Sequence, residues 1–285
     1  MFRAMLAVPT IPQRTLALIV ITCLSSGHYR GMTELFRGTG VALVTLFHED
    51  GAIDPGATGE FARELVERGM RAVLVAGTTG EAATLTNAER SALIDAVRSA
   101  IPPGVPVIAG TGAPSIRQAA GLTQEAVAAG ADAVLAWPPP GGLDMVGYFK
   151  AVADAAQGRP VLAYHFPRVY PPGIPVEALA GLPVAGQKDS SGQADRLLDE
   201  LAHYPGATYV GSSAVLSLAG PMGATGALLA LANVEPERCA AAFEGDATAQ
   251  REIADRHLAS ARGGVPALKQ ILAEDRGRPV PVRVG

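Results

Sequence analysis

Val184-Ala185-Gly186-Gln187-Lys188-Asp189-Ser190-Ser191-Gly192 combines a short apolar run with one of the few lysines of this chain. A short apolar run ends on a lysine and breaks at once into Asp-Ser-Ser-Gly. This pattern is typical of a buried strand that emerges at the rim of a sheet and leads into a helix, with Ser190 or Ser191 as the N-cap. We therefore expect Lys188 to end a buried strand.

Lysine is rare in this chain, because only Lys150, Lys188 and Lys269 among its 23 basic residues are lysines. A surface that needs only positive charge is filled with arginine here, so a lysine at a strand end suggests a chemical reason. An amine can form a Schiff base with a carbonyl group, whereas a guanidinium cannot. The alternative interpretation is a lysine that only solvates the end of the strand.

The composition excludes several classes of protein. The 285 residues are 48% hydrophobic and 18% charged, which is typical of a folded protein with a large core. A formal charge of −4 without a basic run disfavours nucleic acid as a partner. Cys23 and Cys239 are too few for a disulfide framework, and the 5 histidines show no paired spacing for zinc. We expect no metal or other cofactor and a reducing, cytoplasmic location.

The N-terminal segment allows two interpretations. The run from Leu16 to Leu24 is strongly apolar and is followed by Ser25-Ser26-Gly27, which has the outline of a signal peptide. It is far shorter than the ~20 residues that span a bilayer, so no membrane partner is expected. Alternatively, residues 1–31 are an upstream extension and the functional chain begins near Met32. We prefer the extension, because the remaining sequence is typical of a cytosolic enzyme without disulfides.

After residue 37, 8 apolar runs of strand length alternate with 8 helical segments. This alternation predicts an α/β protein made of parallel βα units joined by right-handed crossovers. Eight units within about 200 residues favour a closed (β/α)₈ TIM barrel over the rival doubly wound open sheet. We expect residues 1–37 to be an N-terminal extension, 38–234 the barrel, and 235–285 a shortened C-terminal helical region.

In such a barrel the reacting groups lie at the carboxyl ends of the strands. The predicted strand ends carry Lys188, Tyr164 and the turn Gly77-Thr78-Thr79-Gly80-Glu81. An amine in an apolar mouth has a lowered pKa and is nucleophilic, and a nearby phenol can shuttle protons. The hydroxyls and free amides of the turn suit a carboxylate. Together these groups indicate a 2-oxo acid that is held as an imine.

Four segments carry a family resemblance: Gly38–Thr45, Gly77–Glu81, Tyr164-His165-Phe166-Pro167 and Gly186–Ser190. Together they resemble the pyruvate-dependent class I aldolases. That family includes dihydrodipicolinate synthase, N-acetylneuraminate lyase, 2-keto-3-deoxygluconate aldolase and 4-hydroxy-2-oxoglutarate aldolase. The resemblance implies a TIM barrel, imine chemistry with pyruvate and an aldehyde as substrates, and a homo-oligomer.

The resemblance also implies roles for five side chains. By this resemblance Lys188 forms the Schiff base with pyruvate, and Tyr164 donates and accepts the protons. Thr78 and Thr79 hold the pyruvate carboxylate, and Leu228 is an apolar residue that lines the pyruvate site.

The sequence departs from the synthase branch at two places. Synthases usually carry Pro-Tyr-Tyr after the fourth strand, where one tyrosine completes a proton relay with Thr79 and Tyr164, but this chain has Pro138-Pro139-Pro140. Synthases also use an arginine two residues after the Pro of Tyr-x-x-Pro for the carboxylate of the second substrate. Here Val169 occupies that position, with Arg168 beside it. Both departures disfavour dihydrodipicolinate synthase.

Other segments are similar to the 4-hydroxy-2-oxoglutarate aldolase branch: Lys188–Gly192, Gly211–Ser213, Ala230–Val234 and Gly264–Lys269. We therefore expect a lyase that cleaves or forms a C–C bond between pyruvate and an aldehyde. Its substrate is expected to be 4-hydroxy-2-oxoglutarate or a 2-keto-3-deoxy sugar acid. The alternatives are dihydrodipicolinate synthase, which condenses pyruvate with aspartate semialdehyde, and a non-catalytic 2-oxo-acid-binding protein.

Overall fold

Eight parallel strands pair in chain order and close into one barrel in the computed structural model, which describes residues 34–142 and 144–284. The predicted TIM barrel is confirmed. The strands are β1 Gly38–Ala42, β2 Val73–Val75, β3 Val107–Gly110, β4 Ala133–Ala136, β5 Val161–His165, β6 Gly186–Asp189, β7 Ala207–Val210 and β8 Gly226–Leu229.

One helix follows each strand. These helices are α1 Pro55–Glu67, α2 Asn87–Ala100, α3 Ile116–Ala128, α4 Met145–Ala155, α5 Val176–Leu179, α6 Ala194–His203, α7 Leu216–Ala219 and α8 Pro236–Phe243. The predicted C-terminal helical extension is present as α9 Ala247–Glu252 and α10 Ala254–Arg276. Helix α10 bends at Gly264, which has a positive φ of 64° and lies two residues before Pro266.

Each strand is buried on both faces, and this explains the continuous apolar runs in the sequence. Side chains that point into the barrel form one core cluster, which includes Ala42, Leu74, Ile108, Leu135, Leu162 and Leu228. Their strand neighbours point outward and pack in a second cluster with the helices, as do Val41, Val73, Val107, Val134 and Val161. The inner face of the barrel is therefore mostly apolar.

Leu35 and Phe36 close the amino end of the barrel. The ring of Phe36 stacks on that of Tyr209 with 4.7 Å between centres. The Tyr209 hydroxyl accepts hydrogen bonds from the backbone N–H groups of Leu35 at 3.1 Å and Phe36 at 3.3 Å. These two residues fall within the segment 1–37 that was assigned to an extension, and residues 1–33 lie outside the described part. The two boundaries between the three predicted segments stay predictions.

Asn233 joins β8 to β1 at the carboxyl end of the barrel. Its Oδ1 accepts a hydrogen bond from the backbone of Val44 at 3.1 Å, and its Nδ2 donates to the carbonyl of Ala42 at 2.8 Å. The Thr45 hydroxyl, next along the chain, donates to the carbonyl of Gly80 at 2.7 Å. Closure of the barrel thus fixes the loop after β1 against the turn after β2.

Helix α6 begins later than the sequence suggested, and Ser190 or Ser191 as its N-cap is wrong. The N-cap is Gln193, which makes no side-chain capping bond. The helix starts late because Gly192 has a positive φ of 71°, which a right-handed helix does not allow. Ser191 instead closes a local turn by donating to Asp189 from its N–H at 2.7 Å and from its hydroxyl at 2.9 Å.

In the part of the chain that the structure describes, no helix has the length and apolar character needed to cross a membrane. The apolar run from Leu16 to Leu24 lies outside that part. The choice between a signal segment and an upstream extension therefore stays a prediction, as does the cytoplasmic location.

Candidate active site

Lys188 and Tyr164 lie side by side at the carboxyl ends of β6 and β5. The two residues are register partners across the strand pair. The Nζ atom of Lys188 lies 4.8 Å from the centre of the Tyr164 ring. Both are nearly enclosed, since Lys188 is 4% exposed and Tyr164 is 6% exposed. The barrel thus brings the predicted nucleophile next to the predicted proton carrier.

Burial lowers the pKa of Lys188 from its ordinary value of 10.5 to about 7. The shift comes from desolvation, because the ammonium form loses its water in the enclosed mouth. A large fraction of this amine is therefore neutral near pH 7, and the neutral amine is the form that attacks a carbonyl carbon.

The same burial raises the pKa of Tyr164 well above its usual range, while the nearby hydroxyls of Ser190 and Thr78 oppose the shift. The phenol therefore carries its proton at neutral pH. Nearby hydroxyls that favour the phenolate allow Tyr164 to give up this proton and to recover it.

The turn Gly77–Glu81 places two hydroxyls in the same cavity. Two backbone hydrogen bonds of 3.0 and 3.1 Å close the turn. Thr78 and Thr79 line the small cavity that also contains Lys188 and Tyr164. The structure therefore brings together four of the five predicted site residues.

Leu228 lies apart from these four residues. It is 0% exposed inside the barrel and pairs with Gly40 across the contact between β8 and β1. It is not among the residues that line the cavity of Lys188. Its predicted place in the pyruvate site stays a prediction.

Tyr170 brings a second phenol to the turn from the loop after β5. Its Oη atom lies 3.0 Å from the Thr78 hydroxyl. Its ring stacks on Trp137 with 4.6 Å between centres and an angle of 4°, and its centre lies 5.9 Å from that of Tyr164. Tyr170 was not predicted from the sequence, although an aromatic residue in the proline-rich loop after the fifth strand was a signal. It is Thr78, rather than Thr79, whose hydroxyl contacts this phenol.

A larger cavity of about 590 Å³ adjoins the cavity of Lys188 at Tyr170 and Trp137. Arg90 and Arg117 line it, and no acidic side chain of the described residues does. Arg90 lines both cavities and donates to two backbone carbonyls. Burial lowers the pKa of Arg90, yet a guanidinium remains charged at neutral pH. The larger cavity is therefore suited to an anionic group.

Across residues 34–142 and 144–284, no group of three or more His, Cys, Asp or Glu side chains is arranged to hold a metal ion. His165, which follows Tyr164 on β5, accepts a hydrogen bond at Nδ1 from the backbone of Ile174 at 2.9 Å. Burial lowers the pKa of His165 to about 4, so this side chain is a neutral support for the loop after β5.

The sequence model described as the dihydrodipicolinate synthetase family matches residues 35–267, which is most of the chain. The chain belongs to this family. Members of the dihydrodipicolinate synthetase family are pyruvate-dependent lyases of class I, so the predicted enzyme class is confirmed.

The similar proteins include a synthase, an uncharacterised lyase and a synthase of known structure. A 4-hydroxy-tetrahydrodipicolinate synthase of Dechloromonas aromatica is 35% identical over 239 residues, covering 79% of this chain and 82% of that protein. An uncharacterised DapA-like lyase of Halobacterium salinarum is 35% identical over 221 residues, covering 74% and 72%. The crystal structure of the chloride-inhibited dihydrodipicolinate synthase of Acinetobacter baumannii with pyruvate has a TM-score of 0.79 at 26% identity, covering 87% of this chain and 92% of that one.

We expect Lys188 to react with a small acylating reagent from about pH 7 upward, because desolvation lowers its pKa to about 7. An ordinary lysine becomes reactive only near its pKa of ~10.4. Competitive labelling with acetic anhydride, read by peptide mass, measures this, and exposed Lys150 is the reference in the same digest. If the labelling of Lys188 and Lys150 rises over the same pH range, the lowered pKa is wrong.

Proposed function

We propose that this lyase is an aldolase that cleaves 4-hydroxy-2-oxoglutarate into pyruvate and glyoxylate through an imine on Lys188. The observation that carries the proposal is the amine of Lys188 in a small cavity that opens toward Arg90 and Arg117. A 2-oxo acid with a second carboxylate matches both cavities, because its carbonyl group can lie at Lys188 and its second carboxylate near Arg90 and Arg117. A 2-keto-3-deoxy sugar acid has an uncharged chain at its far end and leaves the two guanidinium groups unused.

The first stage forms the imine. Thr78 and Thr79 bind the C1 carboxylate, which presents the C2 carbonyl to the neutral amine of Lys188. The amine adds to C2 and forms a carbinolamine. Tyr164 donates its proton to the C2 oxygen, which leaves as water when the imine forms.

The second stage breaks the C–C bond. The phenolate of Tyr164 takes the proton of the C4 hydroxyl, and the electron pair of the C3–C4 bond moves toward the imine to give an enamine. Glyoxylate leaves as the aldehyde. The enamine then takes at C3 the proton that Tyr164 received from the C4 hydroxyl, and water hydrolyses the resulting imine to release pyruvate and restore Lys188. Tyr170 supports these transfers by holding the Thr78 hydroxyl in place beside Tyr164.

Dihydrodipicolinate synthase is the second candidate, because the Dechloromonas aromatica relative carries that activity in its name. The environment of Val169 disfavours it. Val169 is 42% exposed at the position where synthases use an arginine. The neighbouring Arg168 cannot replace that arginine, because its guanidinium lies 5.6 Å from the ring centre of Phe166 and donates to the carbonyl of Ala261 at 3.2 Å.

Incubation with pyruvate and borohydride should give a reduced adduct on Lys188 and none in Lys188→Arg, because only a primary amine forms the imine. Peptide mass locates the adduct, and its absence from Lys188 contradicts the imine.

The rate of 4-hydroxy-2-oxoglutarate cleavage should exceed the rate at which pyruvate condenses with aspartate semialdehyde. The reverse order would favour the synthase, and an adduct without turnover of either would favour a binding protein.

Tyr164→Phe should lower kcat by about 10²-fold or more while pyruvate is still trapped, because the proton carrier is lost but Lys188 remains. Tyr170→Phe should lower kcat by about tenfold, since it removes one hydrogen bond to Thr78. Tyr204→Phe is the matched control, because Tyr204 is buried beside α6 and outside both cavities. Steady-state kinetics measures all three. A wild-type rate in Tyr164→Phe would remove this residue from the mechanism.

Arg117→Gln should raise KM for 4-hydroxy-2-oxoglutarate by about tenfold, because a charge-assisted hydrogen bond to the far carboxylate is lost. KM for 2-keto-3-deoxygluconate, which lacks that carboxylate, should not change. Arg71→Gln is the matched control, since Arg71 precedes β2 at the opposite end of the barrel. An equal rise in KM for both substrates would argue against recognition of a second carboxylate.

A further inference from the structure

Glu81 ends the turn that carries Thr78 and Thr79, and its conformation is unusual. The residue is 2% exposed and has a positive φ of 57°, a region that is unfavourable for a residue other than glycine. Its backbone N–H donates to the carbonyl of Thr78 at 3.1 Å. The shape of the turn therefore depends on what holds Glu81 in this conformation.

One ammonium group and two backbone N–H groups converge on the buried carboxylate of Glu81. Lys269 Nζ lies 2.6 Å from Oε1. The backbone N–H groups of Arg283 and Val284 donate to Oε2 at 2.7 and 2.8 Å. A buried carboxylate without such partners is strongly unfavourable. Both N–H donors thus come from the backbone of the segment 281–284.

The side chain of Arg283 anchors this segment. Its guanidinium binds both oxygens of Glu89, at 2.6 and 3.1 Å. It also donates to the carbonyl of Gly51 at 2.6 Å and to that of Thr84 at 3.1 Å. Hydrogen bonding to Arg283 is the largest cause that lowers the pKa of Glu89 to about 2. One side chain therefore binds the loops after β1 and β2 and the start of α2.

Lys269 and Phe47 complete the anchorage. Lys269 Nζ donates to the carbonyl of Pro281 at 2.7 Å while it pairs with Glu81. The cationic groups of Lys269 and Arg283 lie 4.3 and 4.6 Å from the centre of the Phe47 ring. Such contacts are favourable where water is excluded. The segment and helix α10 therefore bind Glu81 as one unit.

We propose that the segment 281–284 is a positioning element of the 2-oxo acid site, which holds the turn Gly77–Glu81 in the shape that binds the substrate carboxylate. The inference rests on the proposed function, because it takes this turn as the carboxylate site. The segment itself does not line the cavity of Lys188. It acts through Glu81, whose movement changes the directions of the Thr78 and Thr79 hydroxyls.

Deletion of residues 281–285 should raise KM for the 2-oxo acid, and the pyruvate concentration for half-maximal trapping, by about tenfold. The value of kcat at saturation should stay within about threefold, because Lys188 and Tyr164 are not displaced. A deletion that only destabilised the fold would lower the active fraction, and therefore kcat, without changing KM. Arg278→Ala, an exposed site just before the segment, is the control and should change neither constant.

Arg283→Ala is a second variant that tests the same proposal if the deletion variant does not fold. It retains the backbone donors to Glu81 but removes the contacts to Glu89, Gly51 and Thr84. We expect KM to rise by about threefold with kcat unchanged. A folded variant whose KM equals that of the wild-type protein would overturn the proposal.

Hydrogen exchange separates this inference from the proposed function. The amides of residues 77–81 should exchange faster in the deletion variant, whereas those of α1 should not. Faster exchange in the deletion variant, together with a wild-type protein that traps no pyruvate, would show that the segment orders the turn and would remove the proposed function. Unchanged exchange of this turn would overturn the positioning role even if pyruvate binds normally.

Discussion

The mouth of the barrel excludes water from Lys188 and Tyr164, and the protonation states of both side chains follow from this exclusion. Desolvation lowers the pKa of Lys188 and raises that of Tyr164, so one cause favours the uncharged form of both groups. An amine and a phenol can then share a small cavity without forming an ion pair. The carboxylate of Glu81 ends the turn that carries Thr78 and Thr79. It does not change the protonation states of Lys188 and Tyr164, because it is bound to Lys269 and to the backbone of the segment 281–284.

The parts of this arrangement that follow from local sequence could be predicted. Strands buried on both faces appear as continuous apolar runs, so the barrel and its strand ends followed from periodicity. Lys188 was recognised because lysine is rare in the chain and ends one of these runs. The predicted N-cap of α6 was wrong because the positive φ of Gly192 prevents the helix from beginning at Ser190 or Ser191.

Contacts between distant residues could not be predicted in the same way. Tyr170 lies 92 positions from Thr78, and no periodic pattern links a loop tyrosine to a particular turn. Arg283 lies 202 positions from Glu81 and binds it through backbone atoms, which carry no signal in the residue types. The residue types of the turn likewise do not indicate that the Glu81 side chain is a buried acceptor for the backbone of the segment 281–284.

Trp137 is the only tryptophan of the 285 residues, and its ring stacks on Tyr170 where the two cavities meet. Nearly all of the ultraviolet emission of the protein therefore arises from one indole at the entrance to the site. Stacking on a phenol and exposure to water both influence the emission of an indole. The chain thus contains an intrinsic optical reporter, through which entry of a substrate can be followed without an added label.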